Sequence, residues 1–94
     1  MSDKPVLFDT GFVVRTHGAL AALITAQVTE SSLIERHLSG DFGQLDTEDQ
    51  EQNRRAIAEG GRVMSSYALA THATVWVITE ADRSVTTLLL PTEY

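Results

Sequence analysis

The spacing of hydrophobic positions changes character along the chain. Phe12 to Thr16 reads Phe-Val-Val-Arg-Thr, a β-rich run between Gly11 and Gly18, and predicts a strand. From Gly18 the period becomes helical. Leu20, Leu23, Ile24 and Val28 recur at helical spacing with alanines between them, and Thr16 is a suitable N-cap. A second helix is predicted from Ser32, where Ser32-Leu33-Ile34-Glu35 fits a capping box, to Ser39, with Gly40 suited to the left-handed position after it. A third begins at Thr47-Glu48-Asp49-Gln50, a second capping box, and ends at Gly60-Gly61. Its first half is polar all round, so only Asn53, Ala56 and Ile57 can face a core. That pattern describes a surface helix.

The remaining segments alternate as strands. In Arg62–Ala70, Val63, Tyr67 and Leu69 share a face. In Thr74–Glu80, Val75 and Val77 lie opposite Trp76 and Ile78, so both faces are apolar and a central, well-covered strand is expected. Ser84–Leu90 is rich in β-branched residues and stops at Pro91, which cannot continue a ladder. The links at Thr71-His72 and Ala81-Asp82-Arg83 are short, which suits antiparallel neighbours. The order β-α-α-α-β-β-β predicts an α+β fold: an antiparallel sheet of three to four strands with short helices packed on one face. Residues 1–94 make one domain, and residues 1–9 can be a flexible lead-in.

Composition narrows the function classes. Ninety-four residues support one modest core. No stretch approaches the roughly 20 apolar residues that span a bilayer, and the first ten residues lack the apolar region of a secretory signal. There is no cysteine. Disulfides, thiolate metal sites and a cysteine nucleophile are thereby excluded, and a cytoplasmic location is favoured. The net charge of −6, with a single lysine, argues against direct nucleic-acid binding, which needs clustered basic residues.

Few residues have the pattern of a site. No nucleophile elbow, phosphate loop or dinucleotide fingerprint is present, and no cofactor is expected. His17, His37 and His72 lack the spacing of a helical metal site, so no metal is expected. His37 and Asp41 form a candidate polar site across the end of the second helix. The bland alternative is a half-buried structural histidine bonded to a nearby carboxylate or carbonyl. Glu80, Asp82 and Arg83 read as a hairpin turn with a local ion pair, or as a recognition loop at the end of the sheet. Asp46, Glu48, Asp49 and Glu51 read as dipole-complementing acids on a capped helix, or as an acidic face that captures a basic partner.

Several segments resemble a family of short bacterial proteins. These are Thr16-x-Gly18-Ala19, Arg36-His37-x-x-Gly40-Asp41-Phe42-Gly43, Asn53, Glu59-Gly60-Gly61-Arg62, Trp76-x-Ile78-Thr79-Glu80-Ala81-Asp82-Arg83-Ser84 and Leu90-Pro91-x-Glu93-Tyr94. The family carries the labels "plasmid-related protein" and small "type I restriction endonuclease subunit M". The departures are Phe42, where the family often has Trp, and Thr71-His72, where it often has Asp-Gly. The resemblance implies a compact α+β fold and a home on plasmids and other mobile elements, and it implies no activity. A methyltransferase function does not fit, because Pro5 and Pro91 are isolated and the chain is too short for the doubly wound cofactor fold.

Three expectations follow. The first is a non-catalytic protein-interaction module that modulates host defence, such as restriction or CRISPR interference, by binding a basic nucleic-acid-binding protein through its acidic surface. The second is a small enzyme built on His37, Asp41, Glu80, Asp82 and Arg83. The third is a structural or regulatory homodimer that pairs through an edge strand.

Overall fold

The computed structural model describes residues 5–94. β1 (Phe12–Arg15) leads into α1 (His17–Ala26), α2 (Glu30–Leu38) and α3 (Thr47–Glu59). The chain then forms β2 (Val63–Ala68), β3 (Thr74–Thr79) and β4 (Val85–Leu89), and closes with a 3₁₀ turn at Pro91–Glu93. The architecture is α+β in the expected order. β2, β3 and β4 form an antiparallel meander, and the sheet order is β1-β4-β3-β2. One feature departs from a wholly antiparallel sheet: β1 pairs with β4 in parallel, with Val13 beside Thr86. The intervening helices and hairpins supply the long crossover that a parallel pair requires.

Local chemistry explains the helix boundaries. The Thr16 hydroxyl accepts the Ala19 N–H at 3.0 Å and so caps α1 as expected. α2 starts one turn before the predicted Ser32. Thr29 is the N-cap and accepts the Ser32 N–H, while Ser32 donates back to the Thr29 carbonyl. Leu33 and His37, four residues apart, share the buried face of α2, and the earlier start brings Glu30 into the first turn. For α3 the cap is Asp46 rather than Thr47, with Asp46 Oδ1 2.8 Å from the Asp49 nitrogen.

Gly40 adopts φ +92° after α2, as its position implies, and a Cβ there would lie 3.3 Å from the Leu7 side chain. Gly40→Val is therefore expected to cost about 1–2 kcal/mol. Ser39→Ala, which removes a hydroxyl bonded to the Arg36 carbonyl, should cost about 0.5–1 kcal/mol. Urea melts of the two variants check the ranking, and equal midpoints would contradict a left-handed residue at Gly40.

The helices pack on one sheet face. Ala19, Leu23, Leu33, Tyr67, Leu69, Val75, Val77 and Leu88 form the main core. A second cluster joins Phe8, Phe42 and Val63 to the inner side of α3 through Ala56 and Ile57. Phe8 is buried and the Leu7 N–H donates to the Leu38 carbonyl, so residues 7 and 8 are docked on the domain rather than a free lead-in. On the opposite face the C-terminal turn folds back over β3. The Tyr94 ring meets Trp76 edge-on at 5.6 Å and its hydroxyl accepts from Arg62. The Glu93 carboxylate accepts from Thr16 and from the Leu90 N–H. Ile78 is buried on this face.

Candidate functional site

A line of polar side chains runs between the two apolar clusters. His37 is 0% exposed. Its Nδ1 lies 2.6 Å from Ser65 Oγ and its Nε2 2.9 Å from Thr79 Oγ1. Thr79 Oγ1 is in turn 2.6 Å from Thr86 Oγ1, and Thr86 donates to the Thr10 carbonyl at 2.8 Å. The proton order follows from the donors available. Thr86 has one proton and gives it to Thr10, so it accepts from Thr79. Thr79 has then used its own proton and must accept from His37 Nε2–H. Nδ1 is left as the acceptor for Ser65. The imidazole is therefore neutral and protonated on Nε2. Burial, with a smaller push from the positive charge of Arg83, lowers its pKa to about 4.

His37 does not use Asp41, although the sequence offered the two as partners. The Asp41 carboxylate accepts from Arg36 Nε at 2.7 Å, and its carbonyl accepts the Tyr67 hydroxyl at 2.7 Å. The Arg36 guanidinium lies over the Tyr67 ring. The partners of His37 are hydroxyls on β2 and β3, which local spacing cannot reveal. The Phe8 ring covers the imidazole edge-on at 5.1 Å. The site is sealed, and its hydroxyls hold α2 to the sheet.

Arg83 is also turned inward. Its guanidinium donates to the carbonyls of Gly61 (2.6 Å), Glu80 (3.1 Å) and Ala56 (3.2 Å), and it lies over the Phe8 ring. It ties the β3–β4 turn to the carbonyl end of α3. Asp82 is exposed and accepts the Ser84 N–H, and hydrogen bonds from Ser84 hold its carboxyl below the usual range. Glu80 is half-buried and its backbone N–H donates to Val85. These three residues build the turn, and of them Asp82 stands out to solvent.

The acids at the start of α3 are disposed differently. Asp46, Glu48, Asp49 and Glu51 are all exposed. Asp46 serves the cap, and Glu51 makes a loose surface pair with Arg54 at 3.6 Å. Asp49 stands on the rim of a groove of about 240 Å³ between α3 and β2, which Leu45, Gln52, Asn53, Arg62 and Met64 also line. Asn53 fixes the groove wall. Its amide donates to the Met64 carbonyl (2.7 Å) and accepts the Met64 N–H (3.1 Å), mimicking a neighbouring strand. The acids and the Glu80–Arg83 turn lie at opposite ends of α3, roughly 15 Å apart at 1.5 Å per residue, so they do not form one surface.

Fold and surface together define a small α+β domain whose interior polar groups hold its elements in register and whose free charge lies outside. Comparison with protein-family profiles, curated proteins and solved structures gives no match. Among the described residues, no helix is long and apolar enough to cross a membrane, and no cluster of three or more His, Cys, Asp or Glu could hold a metal ion.

Proposed function

We propose that this chain is a protein-interaction module that captures a basic partner through the outer side of α3. The observation that carries the reading is the combination of exposed Glu48, Asp49 and Glu51 with the adjoining groove, whose Leu45 and Met64 walls suit an apolar side chain next to a lysine or arginine. The net charge of −6 favours encounter with a positively charged protein. The resemblance to plasmid-related proteins supports a setting on a mobile element in the cytoplasm. It suits a basic, nucleic-acid-binding host-defence protein of restriction or CRISPR interference as the partner. A catalytic use of His37 finds no support, because the ring is enclosed under Phe8 and both nitrogens are engaged.

Charge reversal at Glu48, Asp49 and Glu51 is the test, with Asp46 retained because it caps α3. The triple variant should stay folded, losing a few tenths of a kcal/mol per residue as the helix dipole is opposed. Partners recovered with the wild type from a host lysate should bind the variant at least tenfold more weakly. Wild-type association should slow steeply as salt is raised. Equal binding by the variant, or a salt-independent rate, would reject the acidic face.

A further inference from the structure

The two edges of the sheet are treated differently. On β2 the outer backbone groups of Met64 and Ser66 are occupied. Asn53 bonds Met64 at both N–H and C=O, the Ser66 N–H donates to Phe42, and the Ser66 carbonyl accepts from Gln44. Among the described residues, none covers the outer backbone groups of β1. Phe12 and Thr16 donate their N–H groups to β4, at Ser84 and Leu88. By strand alternation, the N–H and C=O of Val13 and Arg15 point away from the sheet. The strand is short and carries neither Pro nor Lys, and its one charged residue, Arg15, is held by Glu30. Its open-face side chains, Phe12 and Val14, are 83% and 44% exposed, while the C-terminal turn covers the far side of that face at Trp76.

We infer that the β1 edge is occupied by a second copy of this chain, paired antiparallel about a two-fold axis at Val13. In that register Val13 faces itself and exchanges both backbone bonds. Phe12 of each copy falls opposite Val14 of the other, so four apolar side chains meet on one face. The ladder ends beyond these pairs, because Gly11, the residue opposite Arg15, is left-handed at φ +64° and does not continue the strand. Centring the axis on Arg15 would oppose like charges. Centring it on Val14 would set Phe12 against Thr16, which is committed to capping α1. The edge is also locally neutral, since the one charge on β1, Arg15, is paired with Glu30.

Area sets the strength. An enclosed Phe buries roughly 150–250 Å². Two Phe12 rings, each 83% exposed, therefore offer on the order of 250–400 Å², against the ~1,200 Å² at which stable interfaces begin. The dimer is accordingly weak and short-lived. Each copy carries −6, so screening should strengthen the association. That is the opposite salt dependence from capture of a basic partner by α3. The β1 edge and α3 are at opposite sides of the sheet, so either property can fail without the other.

Sedimentation of the full chain across micromolar to millimolar concentrations, at low and high salt, should show a monomer–dimer equilibrium that shifts toward dimer with salt. Phe12→Lys should remain folded, because the ring is almost fully exposed, and should weaken dimerisation at least tenfold. The absence of cysteine allows a direct test of register. In the Val13-centred pair, position 12 of one copy lies about 4.5 Å, Cα to Cα, from position 14 of the other, within disulfide range. A mixture of Phe12→Cys and Val14→Cys proteins should cross-link at least tenfold faster than either alone. A monomer at every concentration, a wild-type-like dimer from Phe12→Lys, or fastest cross-linking by Val14→Cys alone would each overturn the proposal.

Discussion

Acidification from pH 7 to pH 4 is expected to remove about 3 kcal/mol of stability through His37 alone. The histidine pKa falls from the ordinary 6.5 to about 4 in the folded chain, and each unit corresponds to about 1.4 kcal/mol. The folded state favours the neutral ring, so the unfolded state binds the proton more readily. The contribution is complete above pH 6.5, declines as pH falls toward 4 and is gone below it. The structural reason is the hydroxyl chain: a proton on Nδ1 would take away the site at which Ser65 donates. A domain of this kind holds roughly 5–15 kcal/mol in total, so the loss should be visible as a large drop in urea midpoint. His37→Gln keeps one donor and one acceptor but cannot titrate. It should be less stable than the wild type at pH 7 and nearly flat between pH 7 and pH 4.5. His37→Ala should cost about 3–5 kcal/mol at pH 7, from the cavity and the stranded hydroxyls. A wild-type profile as flat as that of His37→Gln would refute the neutral, buried imidazole.

Gly43→Ala should be nearly as damaging. Residues 42 to 44 lie along β2, with the Ser66 N–H bonded to the Phe42 carbonyl and the Gln44 N–H to the Ser66 carbonyl. A Cβ at Gly43 would stand 2.1 Å from the Ser66 carbonyl oxygen and 2.8 Å from the Tyr67 ring, at φ +72°. The left-handed backbone alone accounts for about 1–2 kcal/mol. Forcing the segment off β2 adds two hydrogen bonds at about 1 kcal/mol each. The expected total is about 3–4 kcal/mol. Gly60→Ala is the control: its φ is +88° but nothing lies within 4 Å, so only the backbone contribution of about 1–2 kcal/mol should appear. Chemical denaturation of the two variants separates strain from collision. Equal losses would show that the segment is not docked on β2.

Periodicity and local chemistry along the chain were enough for the element order, the α+β class and the surface character of α3. Those features depend on neighbours in sequence: Thr16 caps the residues just after it, Pro91 ends the last strand, and polar positions around Glu48–Gln52 leave a helix with little to bury. The same locality explains the boundary errors. Thr29 and Ser32 can both cap α2, and only the packing of its neighbours selects Thr29. The acids of α3 are legible as a surface because Asp46, Glu48, Asp49 and Glu51 crowd together with only Thr47 and Gln50 between them.

What the tertiary structure decided are the pairings between distant residues. The parallel union of β1 with β4 joins positions about seventy apart, and no spacing rule encodes it. His37 meets Ser65 and Thr79 because α2 crosses β2 and β3 at that height, although Asp41 is nearer along the chain. Arg83 turns from a candidate recognition residue into a support because its fork fits the carbonyls at the end of α3. Buried hydrogen bonds must be satisfied wherever the fold brings donors and acceptors together. Those meetings depend on how the elements stack, so the sequence supplies the groups and three-dimensional packing assigns their partners.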